Sequence, residues 1–188
     1  MQCNLQHIFM ALEMAAARHK NQYRKGKSRT PYINHPIQLA NILINEGGEE
    51  DPILIVGAIL HDVVEDTVKN KKEMNELKQQ ISDEYGEEVL RLVEEVTDDT
   101  SLRKEERKRL QVEHAPFISQ RAKKLKLADK ISNLREIIND PPIFWSKKRI
   151  LDYYTWAEDV AKGLRGVNDS LEMALDKCLH DGREKYDR

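Results

Sequence analysis

Apolar residues along this chain recur at intervals of three and four and almost nowhere alternate, a pattern that predicts helix from end to end. Leu5, Ile8, Phe9, Leu12, Ala15 and Ala16 form the first such stripe. A basic stretch from Lys20 to Thr30, containing Gly26, interrupts it. Pro31 and Pro36 then bracket Tyr32–His35. Pro36 suits the first turn of a helix, where its missing N–H would be unpaired anyway. That helix carries Ile37, Leu39, Ala40, Leu43 and Ile44, and Gly47–Gly48 should end it. Asp51 is placed to cap the next helix, which opens at Pro52. The polar stretch from Lys69 to Glu84 reads as an exposed helix or loop. Further helices are predicted over Gly86–Val96, Lys104–Glu113, Ala122–Ile138, Trp145–Gly163 and Asn168–Leu179. Residues 1–188 therefore read as one all-α domain of roughly eight to nine helices, without repeat or linker.

One segment breaks the amphipathic rule. Ile53–Leu60 is apolar on every face, as a buried helix is. The next six residues carry His61 and the carboxylates of Asp62, Glu65 and Asp66. Buried carboxylates are costly unless paired or bound to a cation. His61 and Glu65 are i,i+4, as are Asp62 and Asp66, so the four groups are predicted to share one edge of the helix. A metal ion is the economical partner for them.

Composition changes the picture little. Apolar residues make up 39% and charged ones 34%, as in a globular protein, and the net charge of −2 argues against broad nucleic-acid binding. A local basic pocket remains open, because Lys20, Arg24, Lys25, Lys27 and Arg29 crowd the stretch before His35. Cys3 and Cys178 lack metal-binding spacing and fit a reducing compartment. No apolar run approaches the roughly 20 residues of a membrane span, and no signal-peptide core is visible, so a cytoplasmic protein is expected.

Two more motifs complete the pattern. Thr30-Pro-Tyr-Ile-Asn-His35-Pro36 sets a histidine at a helix start, and Lys126-Leu-Ala-Asp129-Lys130 sets an aspartate inside an amphipathic helix. Either alone is ordinary. In the order His…His-Asp…Asp they resemble the HD superfamily of all-α, metal-dependent phosphohydrolases. With Arg24-Lys25, His61-Asp-Val-Val-Glu65-Asp66-Thr67 and Glu94-Glu-Val-Thr-Asp-Asp99, the chain looks like the hydrolase domain of RelA/SpoT alarmone enzymes, over about residues 5–175. Its length is similar to the small stand-alone forms, the metazoan SpoT homologues above all, and no synthetase domain is expected. Val68–Asp83 departs from that pattern by looking several residues longer.

The resemblance implies a division of roles. His35, His61, Asp62 and Asp129 would hold one divalent metal. This N/O donor set suits Mn(II), which the resemblance favours, and tolerates Fe(II), Co(II) or Zn(II). Glu65 and Asp66 would be the acid/base pair that activates and orients the attacking water. Arg24, Lys25, Asn133, Arg149 and Tyr153 would meet a nucleotide. The implied reaction converts guanosine 3′,5′-bis(diphosphate), or its pentaphosphate form, to GDP or GTP plus pyrophosphate. Removal of the 2′-phosphate of NADPH, and a non-catalytic nucleotide sensor, are the alternatives. Trp145 and Trp156 read as core, and Thr97-Asp98-Asp99 as a turn without a catalytic role. His7, His19, His114 and His180 fall outside the motifs. The oligomeric state is not legible.

Overall fold

The structure is a computed structural model that describes residues 3–187. Those residues form ten α-helical segments: α1 (Leu5–Arg18), α2 (Asn34–Asn41), α3 (Pro52–Leu60), α4 (Val63–Asp66), α5 (Lys71–Tyr85), α6 (Glu87–Val96), α7 (Lys104–His114), α8 (Gln120–Asn139), α9 (Lys147–Lys162) and α10 (Asp169–Asp187). A single antiparallel bridge, Tyr23 to Pro31, is the nearest approach to a strand among them. The chain is all-α, as its periodicity predicts. Among the described residues, no helix is long and apolar enough to cross a membrane.

Boundaries follow local chemistry. Asp51 caps α3, its carboxylate accepting the Ile53 N–H at 3.0 Å, with Pro52 at the first helical position. Ser119 and Ser146 cap α8 and α9 in the same way. The helix begun at Asn34 runs through a π-helical turn, Ile42–Glu46, before Gly47 ends it. The polar stretch after Val68 is helix α5, which Leu77, Ile81 and Tyr85 anchor in the core. α10 continues to Asp187, beyond the predicted stop near Leu179.

α3 is the centre of the molecule. Every residue from Leu54 to Leu60 is buried, and α1, α2, α6 and α8 pack around it. Burying each large aliphatic side chain contributes about 1.5–3 kcal/mol, so α3 is a rigid platform. It stops at Leu60, one residue before His61, and α4 is a separate single turn after Asp62. The expected continuous helix through Asp66 is therefore interrupted where its polar groups begin.

α7 is the opposite kind of helix. None of its residues is buried, and its main neighbour is α9. The basic stretch after α1 folds back toward the far end of α8. There the Asp140 carboxylate accepts the N–H groups of Lys27 (2.8 Å) and Ser28 (3.1 Å). Gly26 lies against Asp140 so closely that any side chain would collide with it.

Candidate active site

A cleft of about 840 Å³ opens between the end of α3, one face of α8, the basic loop, α7 and α9. All eleven residues proposed above as ligands, acid/base groups or substrate contacts line it: His35, His61, Asp62, Asp129, Glu65, Asp66, Arg24, Lys25, Asn133, Arg149 and Tyr153.

At its base, His35, His61 and Asp129 each place one donor atom within 4.8 Å of the others. His35 comes from the first turn of α2, His61 from the exit of α3, and Asp129 from the middle of α8. His61 Nδ1 lies 2.8 Å from the Ala58 carbonyl, which only an N–H can satisfy, so once the ring is neutral its lone pair is on Nε2. His35 Nδ1 meets the Ser132 hydroxyl at 3.1 Å, and its Nε2 lies 3.3 Å from Asp129 Oδ1. Asp62 stands at the edge of this triad. Its Oδ2 is 2.8 Å from His61 Nε2 and 3.8 Å from His35 Nε2, and it accepts the Tyr32 hydroxyl at 2.5 Å. Lys130 and Asn133 donate to Asp129 at 3.1 and 2.6 Å. Imidazole lone pairs and carboxylates aimed at one point, each fixed from behind by another group, fit a divalent cation.

The charges respond accordingly. Burial pushes the His35 imidazole down and keeps it neutral, as a ligand must be. Burial also opposes charge on His61, but the adjacent Asp62 carboxylate outweighs it and raises the group to about 9. Asp129 is held well below the usual range: burial works against the charge, but Lys130 and the two imidazoles overcome it. Loading a cation would therefore release the His61 proton.

Glu65 and Asp66 part company. Glu65 Oε2 accepts the Asp98 N–H at 3.0 Å, and Oε1 faces Arg107 at 3.2 Å. Burial raises Glu65 to about 7, with the charges of Asp98 and Asp62 adding to it. Asp66 is exposed at the mouth. Both carboxylates line the cleft, Asp66 nearer its mouth, where burial and the Asp62 charge raise it as well. The Thr97–Asp99 turn, read as inert, supplies that N–H.

The opposite wall is cationic and aromatic. Lys104, Arg107 and Lys108 from α7 face Arg149 and Tyr153 of α9 across to Lys25. Burial lowers Lys104 and Lys108, and neighbouring cations lower them further. Arg149 stacks 4.5 Å above the Trp145 ring, and Tyr153 packs between Trp145 and Trp156. Both tryptophans are half-buried and pack against the core, as expected, and they also form part of the cleft wall. Arg24 is gripped by Glu136 and by Asn133 (2.6 Å), with its guanidinium 5.5 Å over Tyr32. His19, outside every motif, is buried against Tyr32 at 4.8 Å between ring centres. The α7 cations and Tyr32 were not foreseen as site residues. A helix this uniformly charged gives no sequence signal for which face looks inward, although Tyr32 lies within the His35 motif itself.

Known proteins resemble this chain in sequence and fold. A family model described as the HD domain matches residues 11–150. The guanosine-3′,5′-bis(diphosphate) 3′-pyrophosphohydrolase of Xenopus tropicalis is 49% identical, covering 93% of this chain and 93% of its own. Its Homo sapiens counterpart is 49% identical over 89% of this chain and 90% of its own. Among solved structures, a metazoan orthologue of SpoT, described as hydrolysing ppGpp and acting in starvation responses, superposes with a TM-score of 0.87. It shares 40% identity and covers 96% of this chain and 98% of its own.

Proposed function

The chain belongs to the HD-domain family, and from that premise we propose that it hydrolyses the 3′-diphosphate of guanosine 3′,5′-bis(diphosphate) to GDP and pyrophosphate, and the pentaphosphate form to GTP and pyrophosphate. One observation carries the reading: a cluster of donors able to hold a cation and a wall of lysines, arginines and aromatic rings face each other across a single cleft. A purine nucleotide with phosphates at two ends needs both. We assign His35, His61, Asp62 and Asp129 to one Mn(II) per chain. When bound there, a divalent cation would supply Lewis-acid polarisation of the phosphoryl group and a lowered pKa for water.

The chain's own residues do the rest. Glu65, poised near 7, accepts the proton of the attacking water. The water oxygen bonds to the phosphorus, and the ribose 3′ oxygen leaves and takes up a proton. Asp66, at the mouth, orients that water or returns the proton. Asn133 ties Asp129 to Arg24, so substrate side and cation side are braced together. Arg24 and Tyr32 offer planar faces to the base, and Lys25, Arg149 and Tyr153 meet the distal phosphates and ribose. A cytoplasmic location suits such a substrate.

Turnover of the purified chain with Mn(II), measured in parallel on the alarmone and on NADPH, tests the reading. Release of pyrophosphate from the alarmone is expected. Release of only inorganic phosphate from NADPH would transfer the assignment to a nucleotide phosphatase, and tight binding without turnover of either would make the protein a sensor. Arg24→Ala should raise KM for the nucleotide about tenfold or more, the loss of a stacked, forked contact of about 1–3 kcal/mol, with metal content unchanged. A generic phosphodiester without a base should be almost insensitive to the same change. Equal losses on both substrates would place Arg24 in the phosphate chemistry or the fold.

A further inference from the structure

Glu65 is held from behind by two groups that the resemblance gives no role. Its two carboxylate oxygens have different partners: the Asp98 N–H on Oε2 at 3.0 Å and the Arg107 guanidinium on Oε1 at 3.2 Å. The partners are themselves joined. Gln111 Nε2 donates to Asp98 Oδ2 at 2.7 Å, and Gln111 lies four residues after Arg107, on the same face of α7. Glu65, the Thr97–Asp99 turn and α7 therefore close a ring of three contacts at the edge of the cleft.

α7 adds little to the core: none of its residues is buried, and Val112 packs against it from the edge. Its inward face is polar: Lys104, Arg107, Lys108 and Gln111, spaced i, i+3, i+4 and i+7, all line the cleft. Arg107 is also an inefficient staple. It meets Glu65 through one nitrogen, and its buried Nε has no partner among the described residues. A buried donor left in that state costs stability. Such a side chain is held for what its head group does to Glu65.

We propose that Arg107 is a positioning residue for hydrolysis, acting through Glu65: with the Asp98 N–H, kept in place by Gln111, it fixes the carboxylate in the orientation from which it takes the proton of water. The role rests on Glu65 being the base. A carboxylate on the single-turn α4 has little else to orient it, because the helix ends at the next residue, Asp66. Without the guanidinium, Glu65 rotates about its side-chain bonds, and misplacement of a reacting group by about 1 Å can cost on the order of 10²-fold.

The test is steady-state kinetics on Arg107→Ala, Arg107→Lys, Glu65→Gln and the double variant, with bound Mn(II) and thermal midpoint measured for each. Arg107→Ala should lose kcat by about 10–10²-fold, with KM changed less than about threefold and metal content unchanged. Arg107→Lys should recover part of the loss, because an ammonium still pairs with Oε1. In the Glu65→Gln background, adding Arg107→Ala should cost less than about twofold more, since both changes remove one function. A raised KM with intact kcat would make Arg107 a substrate contact and overturn the proposal, as would a full additive loss in the double variant. Loss of kcat in Glu65→Gln beside a normal kcat in Arg107→Ala overturns the clamp alone. Normal kcat in Glu65→Gln removes the base and the clamp together. Should Arg107→Ala fail to fold, Arg107→Gln, which keeps length and a donor without the charge, carries the same comparison.

Discussion

His61→Ala and Asp62→Ala should each lose bound metal and reduce hydrolysis by about 10³-fold or more, the largest effects expected anywhere in the chain. His61 is almost fully buried at the exit of α3, and its Nε2 is one of three donors that converge at the base of the cleft. Removing it leaves His35 and Asp129 from the triad, with no side chain able to swing in, because α3 is packed on all sides. It also strips Asp62 of its partner at 2.8 Å. Asp62→Ala removes the carboxylate that holds the Tyr32 hydroxyl and offsets charge on His61, which then loses the main influence raising it to about 9. Metal content by elemental analysis, beside turnover with added Mn(II), distinguishes the outcomes. Stoichiometric metal with normal turnover in either variant would show that the residue is not a ligand. Excess Mn(II) restoring Asp62→Ala but not His61→Ala would rank Asp62, which stands at the edge of the triad, as the weaker donor.

Glu65→Gln should keep its metal and lose turnover by about 10²–10⁴-fold, the usual contribution of a positioned acid/base group. The side chain is isosteric, and the amide can still meet Arg107 or Asp98 through its oxygen, so the fold has no reason to change. The pH profile sharpens the expectation. A base must be ionised, so wild-type kcat/KM should rise with pH through about 7 as Glu65 loses its proton, and this limb should vanish in the variant. Stability moves the other way. Glu65 is raised from 4.5 to about 7 in the folded chain, so the folded state binds its proton more tightly than the unfolded state does. That contribution to stability is present below about 4.5 and is lost as pH rises through 7. The thermal midpoint of Glu65→Gln should therefore gain on the wild type between those pH values. Loss of metal in this variant would move Glu65 into the ligand set instead.

The two carboxylates of the His61-Asp62-Val-Val-Glu65-Asp66 run show how far a local pattern reaches. Spacing pairs Glu65 with His61 and Asp66 with Asp62, as on an unbroken helix. The backbone turns at His61 and Asp62, so Glu65 swings to Asp98 and Arg107 while Asp66 lines the cleft at its mouth. Trp145 and Trp156 carry the same lesson. An aromatic at helical spacing signals a face that avoids water, and that face can be a cleft wall as well as a core.

Resemblance alone joined His35 and Asp129 to the polar run that begins at His61, and the structure brings them together. The sequence by itself determined the helical class, the buried platform of α3, the capping of that platform by Asp51, and the polar run at its end. These features are carried by near neighbours along the chain: apolar periodicity, a capping side chain, and a charged group attached to an apolar run that has to be buried. Only the tertiary structure decided which cations face these groups. Arg107 meets Glu65 across 42 residues, and Arg24 meets Glu136 across 112. α7 shows no apolar stripe to tell its inner face from its outer one, so Lys104, Arg107 and Lys108 look like any solvated charges until the helix is set against α9. Local propensity acts through bonds and turns of a few residues, whereas the partner of a long charged side chain is chosen by where distant helices come to rest on the core, and that choice has no trace in spacing.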